Sequence, residues 1–270
     1  MEENLKRFVG EHVVVTGAGS GVGIGRGIAH RFASEGAKVT VADVDQEGGN
    51  KVAAEIKAQG GTAQFIYGDV AKEDSILELV KKAHETFGAI DVAVSNAGIS
   101  ETQASCLEIS GSEWDRIYGI NVRGSFMFCR ACANNMMDNE VKGSIITISS
   151  TMGRTSKNMT GAYASSKSAV IMFTKSLAKA LASVGIRVNS VAPGIVATNL
   201  YRPVEAEMMM EKDEFVPWII EQCISSGQLL IPRVGTPENM AAAVAFLASK
   251  DASYITAQCI SVDGGMDWSW

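Results

Sequence analysis

VVVTGAGSGVGIGRGIA, residues 13–29, decides the fold of this chain. Three valines in a row read as a buried strand, and Ile24 onward reads as an amphipathic helix. Between them lies a turn dense in glycine, with Gly17, Gly19, Gly21, Gly23 and Gly25. Glycine lets a backbone turn tightly and approach a pyrophosphate, and the N-terminus of the following helix offers N–H donors and the positive end of its dipole. A strand, a glycine turn and a helix in that order are the context a dinucleotide site requires. The acid at the end of the next apolar run, Asp43 in TVADVD, completes the pattern. Its carboxylate can accept hydrogen bonds from both ribose hydroxyls and would repel a 2′-phosphate. No Arg or Lys lies within 18–22 to hold such a phosphate, so NAD is favoured over NADP.

The pattern of this first unit repeats outward. Short β-branched runs at 12–17, 37–43, 63–70, 91–98, 143–150, 186–194 and 259–265 read as seven strands. Helical stretches fill gaps between them, among them 24–35, 75–87, 112–137, 161–184 and 237–248. Strand and helix in alternation predict an α/β fold: one Rossmann-type domain over 1–270, a doubly wound parallel sheet with helices on both faces. The strand runs are almost continuously apolar, as strands covered on both faces should be. Residues 199–235 are the one irregular stretch, too long for an ordinary connection and placed where a substrate lid would lie.

Composition narrows the class. Of 270 residues 46% are hydrophobic, enough for a sizeable core, and the net charge is −6. An acidic chain is a poor match for nucleic acid or an anionic membrane, so neither is expected as a partner. The first twelve residues, MEENLKRFVGEH, lack the apolar run of a signal peptide, and no apolar stretch reaches the length of a membrane span. Cys106, Cys129, Cys132, Cys223 and Cys259 are scattered and odd in number, which suits a reducing cytoplasm better than a disulfide framework. Cys129 and Cys132 form a C-x-x-C with no second pair, so packing is expected there and no metal. His12, His30 and His84 lie away from the glycine turn and from any candidate nucleophile.

Tyr163 and Lys167, in GAYASSK, fall one helical turn apart and so share a face. A cation beside a phenol favours the phenolate and should draw its pKa toward neutrality. Alone the spacing says little, since Tyr and Lys often meet it by chance.

Taken with the rest, the chain resembles the short-chain dehydrogenase/reductase family over essentially its whole length. The residues that carry the resemblance are Thr16-Gly17 with the glycine turn, Asp69-Val70, Asn96-Ala97-Gly98, Asn121, Ser150, Tyr163 with Lys167, and Pro193-Gly194. The turn departs from the family pattern by about two extra residues. Helix register makes Gly17, Gly23 and Gly25 the equivalents, with Ser20, Gly21 and Val22 bulging and Ile24 opening the helix.

The resemblance implies an NAD-dependent oxidoreductase acting on a secondary alcohol or ketone. Tyr163 would exchange a proton with the substrate oxygen and Ser150 would orient that oxygen. Lys167 would lower the Tyr163 pKa and hold the nicotinamide ribose, and Asn121 would hold a water linking Lys167 to solvent. Asp69 and Val70 would contact adenine; Asn96, Ala97 and Gly98 would line the cofactor. Pro193, Gly194, Ile195 and Thr198 would hold its nicotinamide side. The substrate loops would be 99–106, 151–159 and 199–230, with Thr102, Gln103, Met152, Asn158, Met208 and Trp218 among their residues. They carry no dense basic cluster that would hold a phosphate or carboxylate. The lid region and the ISVDGGM ending resemble the polyol, acetoin and sugar-alcohol dehydrogenases of the family, which implies a small secondary alcohol, diol, polyol or sugar alcohol as substrate. A hydroxysteroid dehydrogenase would use the same catalytic residues with an apolar lid. A 3-oxoacyl-carrier-protein reductase is opposed by Asp43, and a non-catalytic NAD-binding module by the presence of both Tyr163 and Lys167. Relatives are usually homotetramers built on the 112–137 and 161–184 helices, and Trp268 and Trp270 are expected to pack against the lid or a neighbouring subunit.

Overall fold

The computed structural model describes residues 6–101, 106–155, 161–196, 198, 212–227 and 229–266. Seven strands form one parallel sheet: β1 (His12–Thr16), β2 (Lys38–Asp43), β3 (Thr62–Tyr67), β4 (Val92–Ser95), β5 (Ser144–Ile148), β6 (Arg187–Pro193) and β7 (Cys259–Val262). Their spatial order is β3-β2-β1-β4-β5-β6-β7. The chain therefore reverses direction of travel between β1 and β4, and a crevice opens there at the carboxyl ends of the strands.

The seven predicted strands are all present, and alternate residues face opposite layers. Val13 and Val15 join the core that also holds Ile28, Phe32 and Val244. Val14 joins the other, with Leu79, Phe128 and Met136. The helices are α1 (Ile24–Ser34), α2 (Gln46–Ala58), α3 (Glu73–Phe87), α4 (Gly111–Tyr118), α5 (Ser125–Asp138), α6 (Gly161–Leu181), α7 (Lys212–Ser225) and α8 (Pro237–Ala248).

Two expectations are corrected. The stretch 112–137 is not one regular helix: α4 and α5 are joined by a π turn at Gly119–Gly124. The stretch 199–235 is not irregular throughout, since α7 lies inside it and carries Pro217 within the helix. Residues 199–211 lie outside the described residues, as do Thr102, Gln103, Asn158, Met208, Trp268 and Trp270. Cys129 and Cys132 are fully buried on α5, and burial raises both thiol pKa values, that of Cys129 to about 12. They pack as core side chains.

His12 makes one polar thread through the sheet. Its Nδ1 lies 3.0 Å from the Gly88 carbonyl, so Nδ1 carries the proton and donates. Nε2 then accepts from the Thr40 hydroxyl at 2.9 Å, and Thr40 in turn accepts from Gln64 at 3.0 Å. Burial holds the His12 pKa below its ordinary value of 6.5, so the folded chain keeps this ring neutral. The unfolded chain takes up the proton first as pH falls. The contribution of His12 to stability is thus complete above about pH 6.5 and is lost below it, down through the lowered folded value. Urea melts across pH 5–8 should show this acid-side loss, with a shallower slope in His12→Gln. An identical slope in the variant would mean that His12 titrates alike in both states.

Candidate active site

The crevice is knitted where β1 meets β4. The Asn96 side-chain amide donates to the carbonyls of Thr16 and Gly17, both at 2.9 Å. The backbone N–H groups of Asn96 and Ala97 donate to the Thr16 hydroxyl at 3.1 and 3.2 Å. Gly17 has φ +66, a left-handed conformation that suits glycine. Gly25 lies where a Cβ would stand 2.4 Å from the Gly17 carbonyl oxygen and 2.5 Å from the Asn96 amide nitrogen. The first turn of α1 can therefore press against the glycine turn only without a side chain.

Of the lengthened turn, Ala18 is buried, Ser20 is half-buried, and Gly21 and Val22 are exposed. Gly23 is the N-cap of α1 and brings no capping side chain, and Ile24 is the first helical residue. Asp43 closes the turn from the side. Its carboxylate accepts the Gly19 N–H at 2.7 Å and the Asp45 N–H at 3.0 Å. Asp69 is engaged locally, accepting the Ala71 N–H at 3.0 Å and pairing with Lys72 at 3.1 Å. Val70 is buried beside it. Across the crevice, Pro193 ends β6, the Gly194 N–H donates to the Val262 carbonyl at 3.2 Å, and the Ile195 carbonyl accepts the Gly235 N–H at 2.9 Å. Thr198 is buried just beyond. An uncapped helix N-terminus, a glycine cradle and a carboxylate at the end of β2 together fit a dinucleotide.

Four further candidates converge at the mouth of β5. Ser150 follows that strand and accepts the Met152 N–H at 3.2 Å, starting a short 3-10 turn at Thr151–Gly153. A Cβ on Gly153 would stand 2.6 Å from the backbone carbon of Lys167, so this glycine allows the turn to rest directly on α6. Tyr163 and Lys167 are both buried on α6, and the Lys167 ammonium sits 5.6 Å from the Tyr163 ring centre. Lys167 donates to the Ile148 carbonyl at 3.0 Å. Asn121 lies in the π turn and is buried, not on a helix surface. Its amide donates to the Ile99 carbonyl at 2.8 Å and to the Ser166 hydroxyl at 3.0 Å, and its oxygen accepts the Ile99 N–H at 2.9 Å. Ser166 passes its own proton to the Tyr163 carbonyl at 2.7 Å.

The expected electrostatics are reversed at Tyr163. Burial pushes the Tyr163 phenol up to about 12, the hydrogen bond with Ser150 opposes it, and the Glu101 carboxyl adds to the rise. Burial alone pushes Lys167 down to about 8. The ammonium points at a strand carbonyl and lies over the ring, not at the phenol oxygen, and desolvation decides the shift of both groups.

Sequence reasoning missed two participants, Ser166 and Glu101. Ser166 was signalled only by its place three residues after Tyr163 on the same helical face. Glu101 is a buried carboxyl three residues after Gly98 that accepts the Tyr163 N–H at 2.7 Å, sixty-two positions away. Among the described residues no cluster of three metal-binding side chains occurs, and no helix is long and apolar enough to cross a membrane.

Comparison with known proteins agrees with this geometry. A family model described as enoyl-(acyl carrier protein) reductase matches residues 17–267. The chain is 37% identical to glucose 1-dehydrogenase 2 of Bacillus subtilis over 262 residues, covering 97% of this chain and 96% of that one. It is 38% identical to 3beta-hydroxysteroid dehydrogenase 1 of Eggerthella lenta, covering 98% and 96%. Among solved structures, a short-chain type dehydrogenase/reductase from Mycobacterium marinum aligns with TM-score 0.83 at 34% identity, over 97% of both chains. A Beutenbergia cavernae protein, provisionally named an NAD(P)-dependent gluconate 5-dehydrogenase and holding NADP at low occupancy, aligns with TM-score 0.85 at 33% identity, over 97% and 98%.

Proposed function

The chain belongs to the short-chain dehydrogenase/reductase family of nicotinamide-dependent oxidoreductases, which act on CH–OH groups, and we propose that it uses NAD(H) to interconvert a small secondary alcohol, diol or polyol with its ketone. The observation that carries this reading is the meeting of Ser150, Tyr163 and Lys167 beside a glycine cradle closed by Asp43. The nicotinamide, when bound, supplies the hydride chemistry. The chain supplies the proton and the position. The Ser150 hydroxyl lies near enough to the Tyr163 phenol to favour its ionisation, and in this reading the two groups serve one substrate oxygen. As the alcohol is oxidised, Tyr163 takes its hydroxyl proton; in reduction it returns one to the oxygen where negative charge grows. Lys167, with a pKa near 8, is poised to pass protons onward. Both amide hydrogens of Asn121 are already donated, so a relay water would bind its main-chain carbonyl or the remaining lone pair of its Oδ1.

Asp43 supports NAD over NADP. Its carboxylate is fixed by Gly19 and Asp45 yet keeps lone pairs for ribose hydroxyls, and a 2′-phosphate there would meet like charge. Turnover with NAD should exceed that with NADP by about 100-fold in kcat/KM, from about 3 kcal/mol of lost pairing and repulsion. Asp43→Ala should shrink that ratio at least tenfold. Equal use of both cofactors by the unaltered enzyme would sink the NAD assignment. Homotetramer formation belongs to the same reading, supported by exposed Trp114 and Met172 on α4 and α6, as does a cytoplasmic location, supported by the scattered, odd-numbered cysteines. The test of the whole is the absorbance of reduced nicotinamide against a panel of diols, polyols, sugars and hydroxysteroids. Turnover of diols or polyols is the expected result. Activity confined to steroids would replace the reading with the hydroxysteroid one.

A further inference from the structure

Glu101 has a buried carboxyl group of which only half is explained. Its Oε2 accepts the Tyr163 N–H at 2.7 Å, capping the first turn of α6 from a distant loop. Its Oε1 is also buried and, among the described residues, finds no hydrogen-bond donor. Leaving a buried carboxyl oxygen without a donor costs free energy that folding alone gives no reason to spend. A cap needs one oxygen, and a short local Ser, Thr, Asp or Asn side chain serves for that. The chain is anchored just before this position. Two residues earlier, Ile99 is held at both its N–H and its carbonyl by Asn121. The carboxyl lies close enough to Tyr163 for its charge to oppose ionisation of the phenol.

We infer that Glu101 is a substrate-binding residue whose Oε1 accepts a hydrogen bond from a second hydroxyl beside the reacting carbon, so that the preferred substrate is a diol or polyol and not a simple secondary alcohol. This inference rests on the function proposed above. A carboxylate only accepts, so its partner must be a donor. A neutral hydroxyl meets that need without placing a second cation near Lys167. A site built to bond a substrate hydroxyl rejects analogues that cannot donate to it, because the buried acceptor is then left unpaired.

The test uses three alcohols with NAD: 2,3-butanediol, 2-butanol and 3-methoxy-2-butanol. The methyl ether keeps an acceptor and loses the donor. The wild-type enzyme should prefer the diol to either analogue by about tenfold or more in kcat/KM. Glu101→Gln retains an amide oxygen for the Tyr163 N–H and places a donor where Oε1 stood. A donor can serve hydroxyl and ether alike, so the diol-to-ether ratio should collapse toward one. An unchanged ratio in the variant would assign the ether penalty to size and Glu101 to capping alone, overturning the inference. Equal wild-type rates on all three alcohols would overturn it without any variant, which keeps the test sound if Glu101→Gln fails to fold. No turnover of any secondary alcohol would instead remove the proposed function, and the inference with it.

Discussion

Tyr163→Phe is expected to lower kcat by about 10²–10⁴-fold, the range associated with loss of a positioned acid–base group. The substitution keeps the ring that lies 5.6 Å from the Lys167 ammonium and removes only the hydroxyl near Ser150. Cofactor affinity should therefore persist, since the glycine cradle and Asp43 are untouched. Stability should fall by no more than about 1.5 kcal/mol, the scale of one hydrogen bond. Single-turnover absorbance with a cofactor titration separates these effects. More than a tenth of wild-type turnover in the variant would mean that the proton leaves by another route.

The second large effect is expected at Gly25. An added methyl would stand 2.4 Å from the Gly17 carbonyl oxygen, 2.5 Å from the Asn96 amide and 2.9 Å from the Gly17 carbonyl carbon. Two of these are backbone atoms, so no flexible chain end can yield. Gly25→Ala must push α1 away from β1, costing about 1–3 kcal/mol of stability as overpacking does. It should also weaken cofactor binding by about 100-fold, since close backbone approach is what the glycines provide. Gly21 is the control: a Cβ there meets nothing within 4 Å. Gly21→Ala should leave both thermal midpoint and cofactor affinity near wild type. If Gly21→Ala were the more damaging, the helix-register assignment of the lengthened turn would be wrong.

Much of the molecule could be read from local pattern. Runs such as SIITI at β5 and HVVVT at β1 announce strands because burial on both faces demands continuous apolar residues. Tyr163 and Lys167 share a face because helical pitch is regular. What escaped the reading depends on distance or on irregularity. The π turn at Gly119–Gly124 is a change of pitch that spacing in a single sequence does not mark. Helix α7 hid behind Pro217, which ordinarily argues against a helix interior. Glu101 acts on a backbone group of α6 that only the folded topology brings near. The Tyr163 electrostatics reversed because the pair's spacing reports proximity, whereas the phenol responds most to how little water reaches it.

The two-sided hold of Asn121 on Ile99 has a consequence for motion. A loop after a strand ordinarily opens by itself, at low cost, because its backbone bonds mostly to water. Here one side chain gives Ile99 both a donor and an acceptor, as a neighbouring strand would. That side chain comes from a buried π turn and also ties to Ser166 on α6. Ile99, the turn and the helix that bears Tyr163 and Lys167 are therefore tied through one side chain, so parting any one of them from the others breaks bonds of Asn121. Motion that admits a substrate costs least where these bonds are not involved, which favours leaving the spacing of the reacting groups intact.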